Sequence, residues 1–392
     1  MFLLLNIFFS VTGLLASLYL AGALSASGFV IYNSWKLVFP ILIKISTFNL
    51  QILLLRSARE GLFRFDFRGL KELGSSAYSR VIITSVGVGA ALWFFNPQLT
   101  ELFGEHLFLV ICLIPLAVFQ VFCLSGATFL AKPFLYWMVG GTWVLFVFLV
   151  FVIDSSISFA LIGYALLVFL VLIALNFASR GDYSARAIKA GEGREHLNYW
   201  ARDSIVGAGE LSAVLLWVQL LRFSEASYAS IAAFDLGFSI IYSIGTLVTS
   251  YFGYVFFRKN SSVDYIIKIR RIFIFLILAC MLIGCVFLDS PGVLFVFDWL
   301  NIDHLYYPGL FRAILICEGF RVIGMLFFNE LLQQRRVKYM VISLLLHPVV
   351  ISSGAVIFTY SLSGLVYIGA LFYFLKVLFN VRIVRRLGSS LA

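Results

Sequence analysis

Long, unbroken apolar runs fill the chain from its first residues, separated by short polar or basic connections. A run of roughly 18 apolar residues is enough to carry an α-helix through a bilayer. Lipid offers no partner to an open backbone, so spanning segments are helices or closed barrels, and continuous rather than alternating apolar sequence selects helices. The pattern predicts twelve spans, near residues 2–22, 28–55, 76–95, 107–129, 134–153, 157–178, 203–221, 228–256, 269–288, 306–330, 339–359 and 363–381. The expected fold class is an all-α membrane protein of about twelve transmembrane helices.

Composition agrees. The chain is 62% hydrophobic and 12% charged, with a mean hydropathy of +1.03. Soluble domains run at roughly 45–50% apolar and about 25% charged. Cys112, Cys123, Cys280, Cys285 and Cys317 all fall inside predicted spans, and no CxxC pair occurs. Neither a disulfide framework nor a zinc site is expected, so the cysteines read as lipid-facing or core fillers. The opening "MFLLLNIFFSVTGLLASLYLAGALSA" ends like a cleavage site. No Lys or Arg precedes its apolar run, however, which argues against a cleaved signal peptide.

Charge sets the expected orientation. Inward-facing loops of membrane proteins carry an excess of Lys and Arg. Alternate connections hold Arg56, Arg59, Arg64, Arg68, Lys71 and Arg80; then Lys132; then Arg180, Arg186, Lys189, Arg194 and Arg202. Arg258, Lys259, Lys268, Arg270 and Arg271 follow, then Arg335, Arg336 and Lys338, and the tail adds Arg382, Arg385 and Arg386. The opposite connections hold Arg222 among Glu101, Glu105, Asp154, Glu225, Asp289, Asp298 and Asp303. Both termini are therefore expected in the cytoplasm. The net charge of +10 is topological rather than a sign of nucleic-acid binding. The outer connections are short, the longest running from about 289 to 305, so function is expected in or between the helices.

An internal repeat organises the spans. "SASGFVIYNSWKLVFPILIKISTFNLQILLLRSARE" from Ser25 is echoed by "SEASYASIAAFDLGFSIIYSIGTLVTSYFGYVFFRKN" from Ser224. Each opens on a polar turn with Ala-Ser, continues into a long span carrying small or polar residues, and exits into a basic loop at Arg56 or Arg258. This predicts two parallel six-helix lobes, residues 1–195 and 196–392, the arrangement of many alternating-access transporters.

Against that background the charges inside spans stand out. The basic ones are Lys36, Lys44, Arg222, Arg312, Arg321 and Lys376; the acidic ones are Glu210, Asp235, Glu318 and Glu330. A charge at mid-membrane costs roughly 2.5–3.5 kcal/mol on the lenient insertion scale, and such residues face a bundle interior or wet cavity by default. Lys36 and Lys44 stand about 80° apart around a helix and roughly 12 Å apart along it, on broadly one face, with Pro40 between them. The bland alternative is that they snorkel to headgroups. Glu318 and Arg321 have the three-residue spacing of a pair along one helix. Arg312 lies on another face nearer the outside, and Glu330 with Arg335 belongs to the cytoplasmic rim. Asp235 and Lys376 are candidates to pair with each other or with a substrate. Glu210, flanked by Gly207 and Gly209, is a candidate proton-titrating group, and His347 reads as a hydrogen-bonded core histidine. No nucleotide-binding GxxxxGK[ST] loop and no catalytic constellation is found, so no cofactor, no metal and no enzymatic activity are expected.

Two halves of six spans, with Gly28, Phe29 and Tyr32 opening the second span in a Gly-Φ-x-x-Tyr pattern, resemble the polysaccharide-export (Wzx-type) branch of the MATE/MOP flippase superfamily. "WVQLLRFSEASYASIAAFDLGFSIIYSIGTLVTSYF" and "LFRAILICEGFRVIGMLFFNELLQQRRVKYMVI" are similar to matching elements of O-antigen and enterobacterial common antigen flippases. The likeness spans nearly the whole chain but its motifs are diffuse; the basic residue that usually precedes the first span is missing and the outer loops are terse. The resemblance implies translocation of an undecaprenyl-pyrophosphate-linked oligosaccharide across the bacterial inner membrane, with membrane lipid, a polysaccharide polymerase and a chain-length regulator as partners. Under that reading Lys36, Lys44, Arg222, Arg312, Arg321 and Lys376 bind the anionic headgroup, and Glu210, Asp235 and Glu318 are candidates for ion or proton coupling. Two rivals remain open: a MATE-like multidrug or cation exporter, which typically relies on embedded carboxylates, and a glycan polymerase or ligase, which generally needs a long periplasmic loop.

Overall fold

The computed structural model describes residues 2–33, 36, 50–59, 63–73, 116–153, 157–179, 217, 221–222, 227–257, 263–333, 337–347 and 361–388. Among them every regular element is helical. In chain order these are α1 (Phe2–Ala23), α2 (Leu50–Arg59), α3 (Phe67–Leu73), α4 (Leu116–Phe129), α5 (Pro133–Gly140), α6 (Thr142–Ile153), α7 (Ile157–Ser179), α8 (Tyr228–Phe257), α9 (Val263–Phe287), α10 (Pro291–Trp299), α11 (Pro308–Gln333), α12 (Val337–Leu345) and α13 (Leu362–Gly388). Residues 26–33 are helical as well. Four helices among the described residues are long and apolar enough to cross a membrane, or five when α5 and α6 count as one bent span. The predicted spans at 76–95 and most of 203–221 lie outside the described residues. With several such helices, this is a multi-pass membrane protein.

The chain divides into two compact units, each assembled from separated stretches. The first comprises Met1–Phe9, Ile31–Ala208 and Phe257–Asn260; the second comprises Ser10–Val30, Gly209–Phe256 and Ser261–Ala392.

In the first unit, the segment expected to be a plain basic loop is folded back into the core. Asp66 caps α3, accepting from the Gly69 backbone N–H at 2.9 Å, which satisfies a donor that the first helical turn leaves open. The Phe67 N–H donates to Asn176 on α7 at 3.2 Å. Phe63 and Phe65 are buried against Phe122 of α4, with ring centroids 6.1 and 5.5 Å away in edge-on geometry. Gly126 makes room: a Cβ there would lie 3.1 Å from the Phe65 ring. The sequence Phe63-Arg64-Phe65-Asp66-Phe67 therefore ties the loop to the helices while leaving Arg68 and Lys71 exposed. Farther along, the span expected at 134–153 bends by 41° between α5 and α6. The Gly140-Gly141 pair sits at the break, where nothing stiffens the backbone.

The second unit is built around α8, α11 and α13. In the apolar stretch of α8 59% of residues are buried, against 6% in α9, so α8 is a core helix and α9 a peripheral one. Helix α9 meets α11 through exchanged glycines. A Cβ on Gly319 of α11 would stand 2.1 Å from Met281 Sδ, and one on Gly284 of α9 would stand 2.5 Å from Leu315 Cδ2. Such small residues let membrane helices pack where no hydrophobic force distinguishes protein from lipid. On α8, Ser243 donates to Ser239 O and Thr249 to Gly245 O, each one turn back.

The longest predicted outer connection is mostly structured. Ser290 caps α10 and Pro291 opens it, an N-terminal signature, and Asn301 closes it in the left-handed region with φ of 56°. The Ile302 N–H then donates to Phe297 O at 2.9 Å, which completes a Schellman cap.

Candidate functional site

A charge in a membrane core is tolerated when its hydrogen-bonding groups are met by partners, because lipid meets none of them. In the second unit three arginines have carboxylate partners, and the three pairs differ in completeness.

Arg222 and Asp235 form the complete pair. Arg222 Nε donates to Oδ1 at 3.0 Å and Nη2 to Oδ2 at 2.5 Å, a fork-to-fork arrangement, and Nη2 also reaches the Val30 carbonyl at 3.2 Å. Both side chains are buried, at 5% and 0% exposure. Asp235 lies on the second turn of α8 between Phe234 and Leu236, both fully buried. The sequence reading offered Lys376 or a substrate as the partner of Asp235; both carboxylate oxygens are instead taken by Arg222, which arrives from thirteen residues upstream.

Glu318 and Arg321 form the incomplete pair. The three-residue spacing on α11 does bring them together: Arg321 Nε donates to Glu318 Oε2 at 2.6 Å. Their side chains are 2% and 7% exposed. The guanidinium lies over the ring of Tyr242 on α8, 4.9 Å from its centroid. Arg321 Nη2 and Glu318 Oε1 have no hydrogen-bond partner among the described residues. Gly245, one turn along α8 from Tyr242, lies alongside. A Cβ added to it would stand 3.4 Å from Nη2, 3.9 Å from Glu318 Oε2 and 2.8 Å from Val322 Cγ2.

The third pair sits at the end of α11. Arg312 Nη2 donates to Asp289 Oδ2, just beyond α9, and the two side chains are 32% and 59% exposed. The neighbouring Tyr306 hydroxyl donates to the Leu288 carbonyl.

The other sites named from the sequence fall as follows. Lys376 on α13 is buried at 1% exposure, with its ammonium 5.6 Å from the Phe328 ring centroid and 6.0 Å from that of Tyr373. Tyr373 shares a 3.0 Å hydrogen bond with His347 Nε2, and both are buried, so His347 is the hydrogen-bonded core residue expected of it. In the first unit Lys36 is half-buried, 6.0 Å from the Tyr32 ring centroid. Lys44 and Glu210 lie outside the described residues, as does the side chain of Glu330. Of the cysteines, Cys123 and Cys317 are buried, Cys285 is partly covered and Cys280 is exposed; all four are free thiols. Among the described residues no group of three or more His, Cys, Asp or Glu side chains is arranged to hold a metal ion.

Sequence reasoning missed the aromatic side of this chemistry and the partner of Arg312. Asp289 was counted only as an outer-loop acid. Tyr242 carried a signal of its own, seven residues beyond Asp235 and so on the same face of α8.

No protein-family model matches the sequence, and no curated protein matches it. The fold is another matter. The chain is similar over its full length to a solved structure described as the outward-facing conformation of a multidrug resistance MATE family transporter of the MOP superfamily. The match has a TM-score of 0.57 and covers 100% of this chain and 94% of that one, at 13% sequence identity. At that identity the likeness establishes architecture alone: the chain shares the fold of that structure.

Proposed function

We propose that the protein is a flippase that carries an undecaprenyl-pyrophosphate-linked oligosaccharide, a unit of O-antigen, common antigen or another surface polysaccharide, across the bacterial inner membrane. Two six-helix lobes alternate in access while the lipid tail stays in the bilayer. The observation that carries the reading is the full-length transporter fold with basic side chains buried among its helices, Arg321 and Lys376 among them. Cations in low dielectric hold a pyrophosphate far more strongly than they do in water. Lys36, Lys44 and Lys376 are the ammonium ligands in this scheme. Arg312 and Arg321 enter by exchanging a carboxylate for the headgroup, while Arg222 stays on Asp235. Outward movement of the anion is favoured by an inside-negative potential, by about 2.3 kcal/mol per charge per 100 mV. A polysaccharide polymerase and a chain-length regulator receive the product on the far side.

The test is deletion of the gene. Lipid-linked oligosaccharide should accumulate on the inner leaflet and surface glycan should disappear, both reversed by the wild-type gene. Unchanged display after deletion would defeat the reading.

A second reading, a MATE-like exporter of cationic drugs, draws on a specific observation: Arg222, Arg312 and Arg321 each face a carboxylate, so the pairs are neutral rather than cationic. Resistance to cationic dyes on overexpression, with normal glycan display in the deletion strain, would select it.

A further inference from the structure

Helices α9 and α11 run antiparallel. Gly284 faces Leu315, Met281 faces Gly319 and Asp289 meets Arg312, so the two helices come level at 289 and 312. Lys268, Arg270 and Arg271 lie near the start of α9, and by the charge rule that end faces the cytoplasm. Residues 272–288 carry no charge, and Arg271 to Asp289 spans about 27 Å at roughly 1.5 Å per residue. A bilayer core is about 30 Å thick, so Asp289 marks its outer boundary. Helix α10 begins two residues later and therefore lies at the level of the outer headgroups.

Three sectors of α10, each about a third of a turn from the next, meet three different surroundings. Val293, Phe297 and Leu300 turn to the protein. Phe297 is buried, its ring centroid 4.3 Å from that of Tyr306 and 5.6 Å from that of Phe311, at the start of α11. Phe295, Val296 and Trp299 turn outward, with Phe295 at 68% and Trp299 at 74% exposure. Leu294 and Asp298, both exposed, form the third sector. An apolar sector beside an acidic one, on a helix packed by its third side, is the pattern of a helix lying in the plane of a membrane surface. A Trp at that level buries its ring among acyl chains and offers its N–H to headgroups.

We propose that α10 is an outer-leaflet anchor: Phe295, Val296 and Trp299 insert at the boundary between headgroups and acyl chains, and Asp298 stays in water. Lipid is the occupant because the face continues one already turned to it. Helix α9, which leads into α10, is peripheral, with Phe275, Leu282, Val286 and Phe287 exposed along it. A helix of nine residues is also too small for a protein partner. About 14 Å long, it offers far less than the roughly 800 Å² per side of a stable protein interface. No Lys or Arg lies on α10, so insertion rests on apolar burial and is indifferent to anionic lipid. The anchor holds more than itself. A Cβ on Gly22 would lie 2.7 Å from the Leu300 carbonyl oxygen, so the end of α10 rests on the end of α1, while Phe297 packs on the start of α11. Fixing α10 in the headgroup layer thus fixes the outer ends of both helices there. The proposal goes beyond the function proposed above and is independent of the substrate.

The test uses Trp299 as its own probe. Full-length protein and its Trp299→Phe variant are reconstituted in phosphatidylcholine vesicles, with and without phosphatidylglycerol, and the difference between their emissions isolates Trp299. Lipid brominated just below the headgroup should quench that difference several-fold more than lipid brominated near the chain end. Aqueous acrylamide should barely reach it, and phosphatidylglycerol should change neither result. Moving the indole by Phe295→Trp in the W299F protein should keep the lipid pattern, and moving it by Asp298→Trp should make it accessible to acrylamide. Quenching of Trp299 by acrylamide alone would overturn the proposal, as would stronger quenching by the chain-end bromine, which would sink α10 into the core. Lipid quenching that appears only with phosphatidylglycerol would overturn it as well. So would protection from every quencher, since a second copy or another protein would then cover the face.

Discussion

Two buried ion pairs occupy the second unit, and they have opposite designs. Arg222–Asp235 joins residues from separate elements, closes as a fork on a fork and adds a backbone carbonyl, so every contact is used to hold Val30, Arg222 and α8 together. Glu318–Arg321 joins residues one turn apart on a single helix through one hydrogen bond, and so holds no two elements together by that bond. Among the described residues it leaves a donor and an acceptor open. Burying charge without completing its hydrogen bonds is costly, by about 1–3 kcal/mol for each orphaned group. The first pair meets its hydrogen bonds and the second, among the described residues, does not. The contrast separates a clamp between elements from a pair within one helix.

The largest effect expected from breaking this comparison is at Asp235. Asp235→Ala strands a buried guanidinium and should cost the second unit roughly 3–5 kcal/mol, seen as loss of folded protein from the membrane fraction and a lower thermal midpoint in detergent. Replacing both partners with apolar residues, Arg222→Met with Asp235→Leu, should recover most of that loss; no recovery would mean that the pair does more than hold elements. Next comes Gly245→Ala. Its Cβ would lie 2.8 Å from Val322 Cγ2, and overpacking of this kind costs about 1–3 kcal/mol, measurable by the same unfolding assay.

Glu318→Gln should cost less than Asp235→Ala, because the amide oxygen still accepts from Arg321 Nε even though the buried guanidinium loses its counter-charge. Its stability should therefore fall by less than that of Asp235→Ala in the same unfolding assay, and an equal fall would erase the distinction between the two pairs. Smallest in stability is Arg312→Ala. The Arg312–Asp289 pair is partly solvated, and such pairs are worth about 0–1 kcal/mol. The thermal midpoint should barely move, while surface glycan display should be lost if Arg312 meets the headgroup as proposed.

The legible parts of this molecule were those governed by local rules. Glu318 and Arg321 are three residues apart on an apolar run, and helical periodicity alone brings them together. His347 was read as a hydrogen-bonded core histidine because a lone imidazole in a span needs a partner, and Tyr373 supplies it. Helix α10 escaped notice although its signals were present: Ser290 before Pro291 at the start and Asn301 at the end. Its nine residues, Asp298 among them, are too few to span a bilayer, so span length does not reveal it. The Phe63–Phe65 anchor was hidden for a related reason: counting Arg56 to Arg80 as a basic loop made its aromatics look incidental. Asp235 was out of reach, because Arg222, Lys376 and a ligand were all chemically admissible partners and nothing local chose among them.

Sequence by itself determined that the chain is helical and embedded, because the bilayer imposes one rule on every residue in it: an apolar surface and an internally bonded backbone. It also determined that charged residues lie within spans, since their positions can simply be counted. Only the tertiary structure decided which carboxylate each arginine meets, which oxygen stays open and where a glycine leaves space. Those outcomes depend on how helices distant in sequence approach each other, and the energies that select one approach belong to contacts made between helices rather than along any one of them.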